Sequence, residues 1–184
     1  MFTHRIDDDL ELRLPEEADA EEFYALIDAN MKYLLPWLPT MDRNKSSDDT
    51  LKFIQRQRVR YAEGTHVMGF IWFKSKLVGT LSLMGINPHD SAEVGFWVSE
   101  SHQGKGIVSR CCAALLQHAF ESMSLNRLQM GCMTNNAKSL KIIERLGFKL
   151  IGIHRESEKH SAGYQDIVEY DLLAREWREM QTTS

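Results

Sequence analysis

A chain of 184 residues, 43% hydrophobic and 26% charged, has the size and balance of one domain that buries its own core. No run approaches the roughly 18 uninterrupted apolar residues that a membrane-spanning helix needs, and a net charge of -4 with a pI near 6.0 lacks the basic face of a duplex-binding protein and suits a cationic partner. Cys111, Cys112 and Cys132 form neither a disulfide framework nor a zinc spacing, and the acidic start Met1 to Asp9 has neither a signal peptide's apolar stretch nor a transit peptide's composition, so we expect a cytoplasmic protein with buried thiols.

No internal repeat, low-complexity tract or Gly/Ser linker divides the chain, so one domain is expected over residues 1–184. Leu10-Glu11-Leu12-Arg13-Leu14 alternates as a strand, and after Pro15 the acidic Glu16 to Asp19 leads into a helix with Phe23, Leu26 and Ile27 on its apolar face. Tyr33 to Pro39 is apolar and holds Trp37, but its two prolines predict an extended loop, either a core plug or a binding surface. Ser46-Ser47-Asp48-Asp49 caps a second helix to about Glu63, with Leu51, Ile54 and Val59 inward and Gly64 as its stop. Strands His66 to Phe73 and Lys76 to Met84 flank a Lys74-Ser75 hairpin, and Ala92 to Val98 alternates after the turn-like Asn87-Pro88-His89-Asp90. Val108, Cys112, Leu115, Leu116, Ala119, Phe120 and Met123 recur at helical spacing. A strand from Arg127 to Met133, a helix from about Asn136 to Leu146 stopped by Gly147, and strands over about Phe148 to Ser157 and Tyr164 to Leu172 complete the series. The order describes an α+β domain whose sheet is mostly antiparallel, with one parallel crossover between Ala92 and Met133.

Gln103-Gly104-Lys105-Gly106-Ile107-Val108 falls where the Ala92 to Val98 strand gives way to a helix. A helix start presents free N–H groups and a partial positive charge, and glycines let an anion approach the backbone. The N–H groups of about Gly104 to Ser109 therefore suit a pyrophosphate, with Lys105 adding a surface charge. Alone, Gly-x-Gly is equally a tight turn chosen for its backbone angles. Neither a Walker loop nor a dinucleotide fingerprint is present, which favours a different phosphate ligand.

Glu93-Val94-Gly95-Phe96-Trp97-Val98, Gln103-Gly104-Lys105-Gly106-Ile107, Asn136-Ala137-Lys138-Ser139 and Arg145-Leu146-Gly147-Phe148 resemble, in order and spacing, the signature segments of the GNAT acetyltransferases. The likeness runs from the first strand to Tyr170 and is nearest to the RimL/RimJ-type branch that acetylates the N-termini of ribosomal proteins, although Val108 stands where many GNAT proteins have Gly or Ala. It implies the GNAT fold: a mixed, mostly antiparallel seven-stranded sheet flanked by helices and splayed between its fourth and fifth strands. It also implies acetyl-CoA as cofactor, a protein or peptide amine, ribosomal-protein type, as acceptor, and a homodimer, while the scattered histidines offer no metal spacing and the charge and hydropathy speak against a nucleic acid or membrane partner.

Moving acetyl from a thioester to an amine needs a positioned thioester, a donor to the developing oxyanion, a neutral amine and a proton for the leaving thiolate, with no covalent enzyme intermediate. By the resemblance, Phe96, Trp97 and Val98 offer backbone to the pantetheine arm and an N–H to the thioester oxygen, while Gln103, Gly104, Lys105, Gly106, Ile107, Val108 and Ser109 hold the phosphates. Asn136 contacts the pantetheine or a water, Ser139 protonates or hydrogen-bonds the thiolate, and Glu158 is the base, with Glu156 as its competitor two residues away on the same strand face. Each has a plainer reading: core packing for Phe96 or Trp97, helix capping for Asn136, a solvated charge run for Arg155 to Lys159. Tyr33 to Leu38 and Tyr164 are candidates for the acceptor wall. Polyamine acetylation and a non-catalytic acyl-CoA-binding module are the alternative functions.

Overall fold

The computed structural model describes residues 3–88, 90–160 and 163–183; Met1 and Phe2 of the acidic start and His89 of the predicted turn lie outside the described residues. Among the described residues eight strands, β1 (Thr3–Arg5), β2 (Leu10–Arg13), β3 (Val67–Phe73), β4 (Lys76–Asn87), β5 (Ser91–Val98), β6 (Arg127–Met133), β7 (Lys149–His160) and β8 (Gly163–Leu173), form one sheet. Its spatial order is β1-β2-β3-β4-β5-β6-β8-β7. All neighbours are antiparallel except β5 and β6. The helices are α1 (Ala20–Leu34), α2 (Ser47–Ala62), α3 (Ile107–Gln117), α4 (Ala137–Arg145) and α5 (Ala174–Thr183). The eighth strand is β1, three exposed residues paired with β2, too short to announce itself by alternation.

The period of 2 in the strands feeds two cores, one on each sheet face. Phe70, Leu77 and Trp97 point to the face covered by α1 and α2, where Phe23, Ile27 and Ile54 meet them. Ile71, Val78 and Val98 point to the other, against Val108, Cys112, Leu116 and Ile143 of α3 and α4 and Trp177 of α5. Ser46 caps α2 as expected, its side chain accepting from the Asp49 N–H. Lys74 and Ser75 take φ of 51° and 61° between the paired Phe73 and Lys76, the two left-handed residues of a tight hairpin.

Several expectations change. The prolines of Tyr33 to Pro39 do not extend the chain: α1 runs through Tyr33 and Leu34, and Pro36 falls just past its end, where a missing N–H costs nothing. The Trp37 and Leu38 N–H groups donate to Leu34 O at 2.9 and 2.8 Å, and a 3-10 turn follows over Pro39–Arg43. Val59 of α2 is 57% exposed; Thr50, Ile54 and Gln57 are buried, and Leu51 packs partly buried against the same core. The long helix after the glycine turn changes at His118–Ser122 into a π-helical turn that keeps Ala119 and Phe120 buried. Helix α5 has no counterpart in the sequence reading.

Candidate active site

Strands β5 and β6 pair over three positions, Ser91 with Arg127, Ala92 with Leu128 and Glu93 with Gln129, and then part. β4 follows β5 to Val98 and β8 follows β6 to Met133, so the two inner edges beyond Glu93 are left facing one another without strand partners. This is the expected splay between the strands read as fourth and fifth. Gly79 keeps β4 against the parted end of β5: a Cβ there would collide with the Trp97 carbonyl oxygen and lie 2.8 Å from Val98 Cα, so glycine lets β4 follow β5 as far as Val98. The gap opens a cavity of about 780 Å³ lined by both bared edges, a size suited to a cofactor-sized ligand.

At one end stands the glycine turn. Gly104 and Gly106 have φ of 70° and 69°, left-handed values that favour glycine, and a Cβ at either would enter open space. Arg110 makes the first helical bond back to Gly106 O at 3.1 Å, so the N–H groups of Gly104 to Ser109 have no hydrogen-bond acceptor among the described residues. Open space over six free N–H groups at a helix start fits a pyrophosphate. Gln103, Gly104, Gly106, Ile107, Val108 and Ser109 line the cavity; Lys105 is exposed and does not. Lys138, Lys141 and Arg145 line it from α4, and Lys138 Nζ donates to Gln103 Oε1 at 2.7 Å across the turn. No motif marks this basic flank, although the i, i+3, i+7 spacing on one helix carries the signal.

Phe96, Trp97 and Val98 also line the cavity. Trp97 belongs to the core, 6.0 Å from Phe23 in a stacked arrangement, whereas Phe96 is half-buried on the opposite face. Asn136 caps α4, its Oδ1 accepting from the Ser139 N–H at 3.2 Å, and the same residue lines the cavity. Ser139 is half-buried on the same wall.

The two glutamates of β7 are not equivalent. Register slips between His154, opposite Ile167, and Glu158, opposite Gln165, so β7 carries two more residues than β8 over this stretch. Within the bulge Glu156 takes φ of 50°, and its N–H donates to Asp166 Oδ1 at 2.8 Å. The alternation that would put both carboxylates on one face is broken: Glu158 lines the cavity and Glu156 does not. Glu158 Oε2 lies 3.1 Å from Nε2 of His160, a buried residue the sequence reading passed over. Glu93 also lines the cavity, its carboxyl held above the usual carboxylate range first by desolvation and then by the charges of Glu158 and Glu169. Tyr33, Trp37 and Leu38 of the apolar segment line the cavity, whereas Tyr164 is 61% exposed and away from it. Burial pushes the Cys111 thiol up to about 12 and that of Cys132, on the cavity wall, to about 11, which leaves both protonated and poorly nucleophilic.

The family model for the acetyltransferase (GNAT) domain matches residues 9–149. The YdaF protein of Bacillus subtilis strain 168 is 34% identical over 180 residues, covering 96% of this chain and 98% of its own. The ribosomal-protein-serine acetyltransferase of Escherichia coli strain K12 is 32% identical over 174 residues, covering 94% and 96%. Among solved structures, RimL, a ribosomal L7/L12 alpha-N-protein acetyltransferase in complex with coenzyme A, superposes with a TM-score of 0.90 at 26% identity, covering 94% of this chain and 98% of its own.

Proposed function

The chain belongs to the GNAT acetyltransferases and is an acetyl-CoA-dependent N-acetyltransferase, and on that footing we propose that its acceptor is the N-terminal α-amine of a protein, of ribosomal-protein type, reached in the cytoplasm. The observation that carries this reading is that the free N–H groups of the glycine turn, the bared edge of β5, Ser139 and Glu158 all line one cavity. The choice of acceptor is supported by the relatives whose names specify ribosomal proteins.

Acetyl-CoA, when bound, supplies an acetyl group already activated as a thioester. The N–H groups of Gly104 to Ser109 hold its pyrophosphate, with Lys138, Lys141 and Arg145 alongside. The unpaired edge of β5 orients the pantetheine arm, and an N–H at Trp97 or Val98 donates to the thioester oxygen as negative charge develops there. Glu158 accepts the proton that the amine loses on attack, directly or through a water, and the Ser139 hydroxyl donates to the departing sulfur. An α-amine ordinarily titrates near about 8 and is partly neutral in a cell, so a carboxylate is base enough. Two copies of the chain associate through the exposed edge strand β7.

The test is acetyl transfer to a panel of three acceptors: a peptide with a free N-terminus, the same peptide blocked at its N-terminus but carrying a lysine, and spermidine. Acetylation of the first alone, located on residue 1 by mass spectrometry, is expected. Turnover confined to spermidine moves the acceptor to a polyamine, and tight coenzyme A binding without turnover of any amine makes the chain a binding module.

A further inference from the structure

His160 ends β7, two residues beyond the cavity-lining Glu158, and its side chain is 3% exposed. The β7 bulge brings it into use: once pairing resumes at Glu158 and Gln165, Glu158 and His160 are two residues apart on a regular stretch and share a face. The ring lies between two oxygens, with Nδ1 3.2 Å from the Pro36 carbonyl oxygen and Nε2 3.1 Å from Glu158 Oε2. A carbonyl oxygen only accepts, and so does an ionised carboxylate. A ring with a single N–H therefore leaves one of these contacts as two facing lone pairs. Both are satisfied when each ring nitrogen carries a hydrogen, the one on Nε2 lying between the ring and Glu158.

We propose that His160 is a positioning residue for Glu158: the ring, fixed on the Pro36 carbonyl, holds Oε2 through a shared proton and leaves Oε1 for the acceptor amine. This rests on Glu158 being the base. The proton lost by the amine lands on Oε1 and leaves to water as product departs, while the bridging proton stays in place. Because Pro36 belongs to the segment whose Trp37 and Leu38 line the acceptor wall, the same contact sets the base at a constant distance from that wall. Glu93 of β5 lies near enough to Glu158 for their charges to interact, and the strand partner of Glu158, Gln165, is neutral.

His160→Leu is expected to keep KM for acetyl-CoA and to lower kcat roughly tenfold to a hundredfold, as loss of alignment does. His160→Gln, whose amide donates to Oε2, recovers much of kcat. Wild-type kcat in His160→Leu, or no recovery in a folded His160→Gln, overturns the proposal. Nitrogen-15 spectra of the His160 ring in wild type and Glu158→Gln separate the pairing from the base assignment and need no folded His160 variant. If Nε2 shifts while Glu158→Gln keeps full rate, the pairing stands and the base assignment falls; if the rate is lost and Nε2 does not move, the pairing falls and the base stands.

Discussion

Glu93 occupies the last paired rung between β5 and β6, opposite Gln129, with its carboxyl in the cleft where the strands part. Desolvation, and then the nearby charges of Glu158 and Glu169, raise it above its ordinary value. The sign for stability follows directly. The folded protein holds this proton more tightly than the unfolded chain, so the stability it lends is fully present below the ordinary carboxylate value and is lost as the pH rises through the raised one. At neutral pH an ionised Glu93 therefore works against the fold. Glu93 as a residue is exposed, so the effect is small; we expect Glu93→Gln to melt slightly above the wild type at pH 7, with the difference shrinking towards pH 4, and equal melting at the two values by scanning calorimetry would count against the raised carboxyl. A carboxyl kept in an unfavourable place beside a cavity is the pattern of a working site.

The turn from Gln103 to Gly106 and the start of α3 act as one element, and their glycines do two things that one substitution can separate. An alanine at Gly106 must hold a left-handed φ of 69°, which costs about 1–2 kcal/mol and lowers the melting temperature by a few degrees. Its methyl meets no protein atom within 4 Å and projects into the open space beside the free N–H groups. Gly106→Ala should therefore weaken coenzyme A binding by about tenfold or more in calorimetry; a lower melting temperature with unchanged affinity would mean that the pyrophosphate lies elsewhere. How legible the elements were depends on how local their causes are. The caps at Ser46 and Asn136, the stop at Gly147 and the hairpin at Lys74-Ser75 are decided by neighbouring residues, and each stood in the sequence. The β7 bulge did not, because Glu156 adopts its left-handed φ without a glycine to mark it. Nor did α5, whose reason is tertiary: Trp177 packs 5.5 Å from Phe120. The site followed the same rule. The cavity-lining residues from Phe96 to Ser109, Asn136 and Ser139 lie in contiguous motifs, whereas the link from Glu158 through His160 to Pro36 joins residues 124 apart and needed the fold to bring them together.

At the scale of the whole molecule the sheet has two unequal edges. β1 is three residues, Thr3 to Arg5, polar and short, as a protected edge is. β7 is twelve residues long, paired on one side only, and its first half exposes Leu150 at 61%, Ile151 at 50% and Ile153 at 57%. A long apolar edge left bare invites pairing with another chain, and an antiparallel strand meeting its own copy across a two-fold axis closes the assembly after two subunits. Of β7, Glu158 lines the cavity whereas Leu150, Ile151 and Ile153 do not, so association through the first half leaves the coenzyme cradle clear while setting the partner next to the acceptor side. The chain is accordingly expected to sediment as a dimer, and Ile153→Lys, which puts a charge on that edge, to sediment as a monomer with its coenzyme A affinity intact. A wild type that sediments as a monomer at every loading rules the edge out as an interface. A dimeric Ile153→Lys moves the interface to another face, with the apolar segment around Trp37 next in line because it lies beside the same acceptor opening.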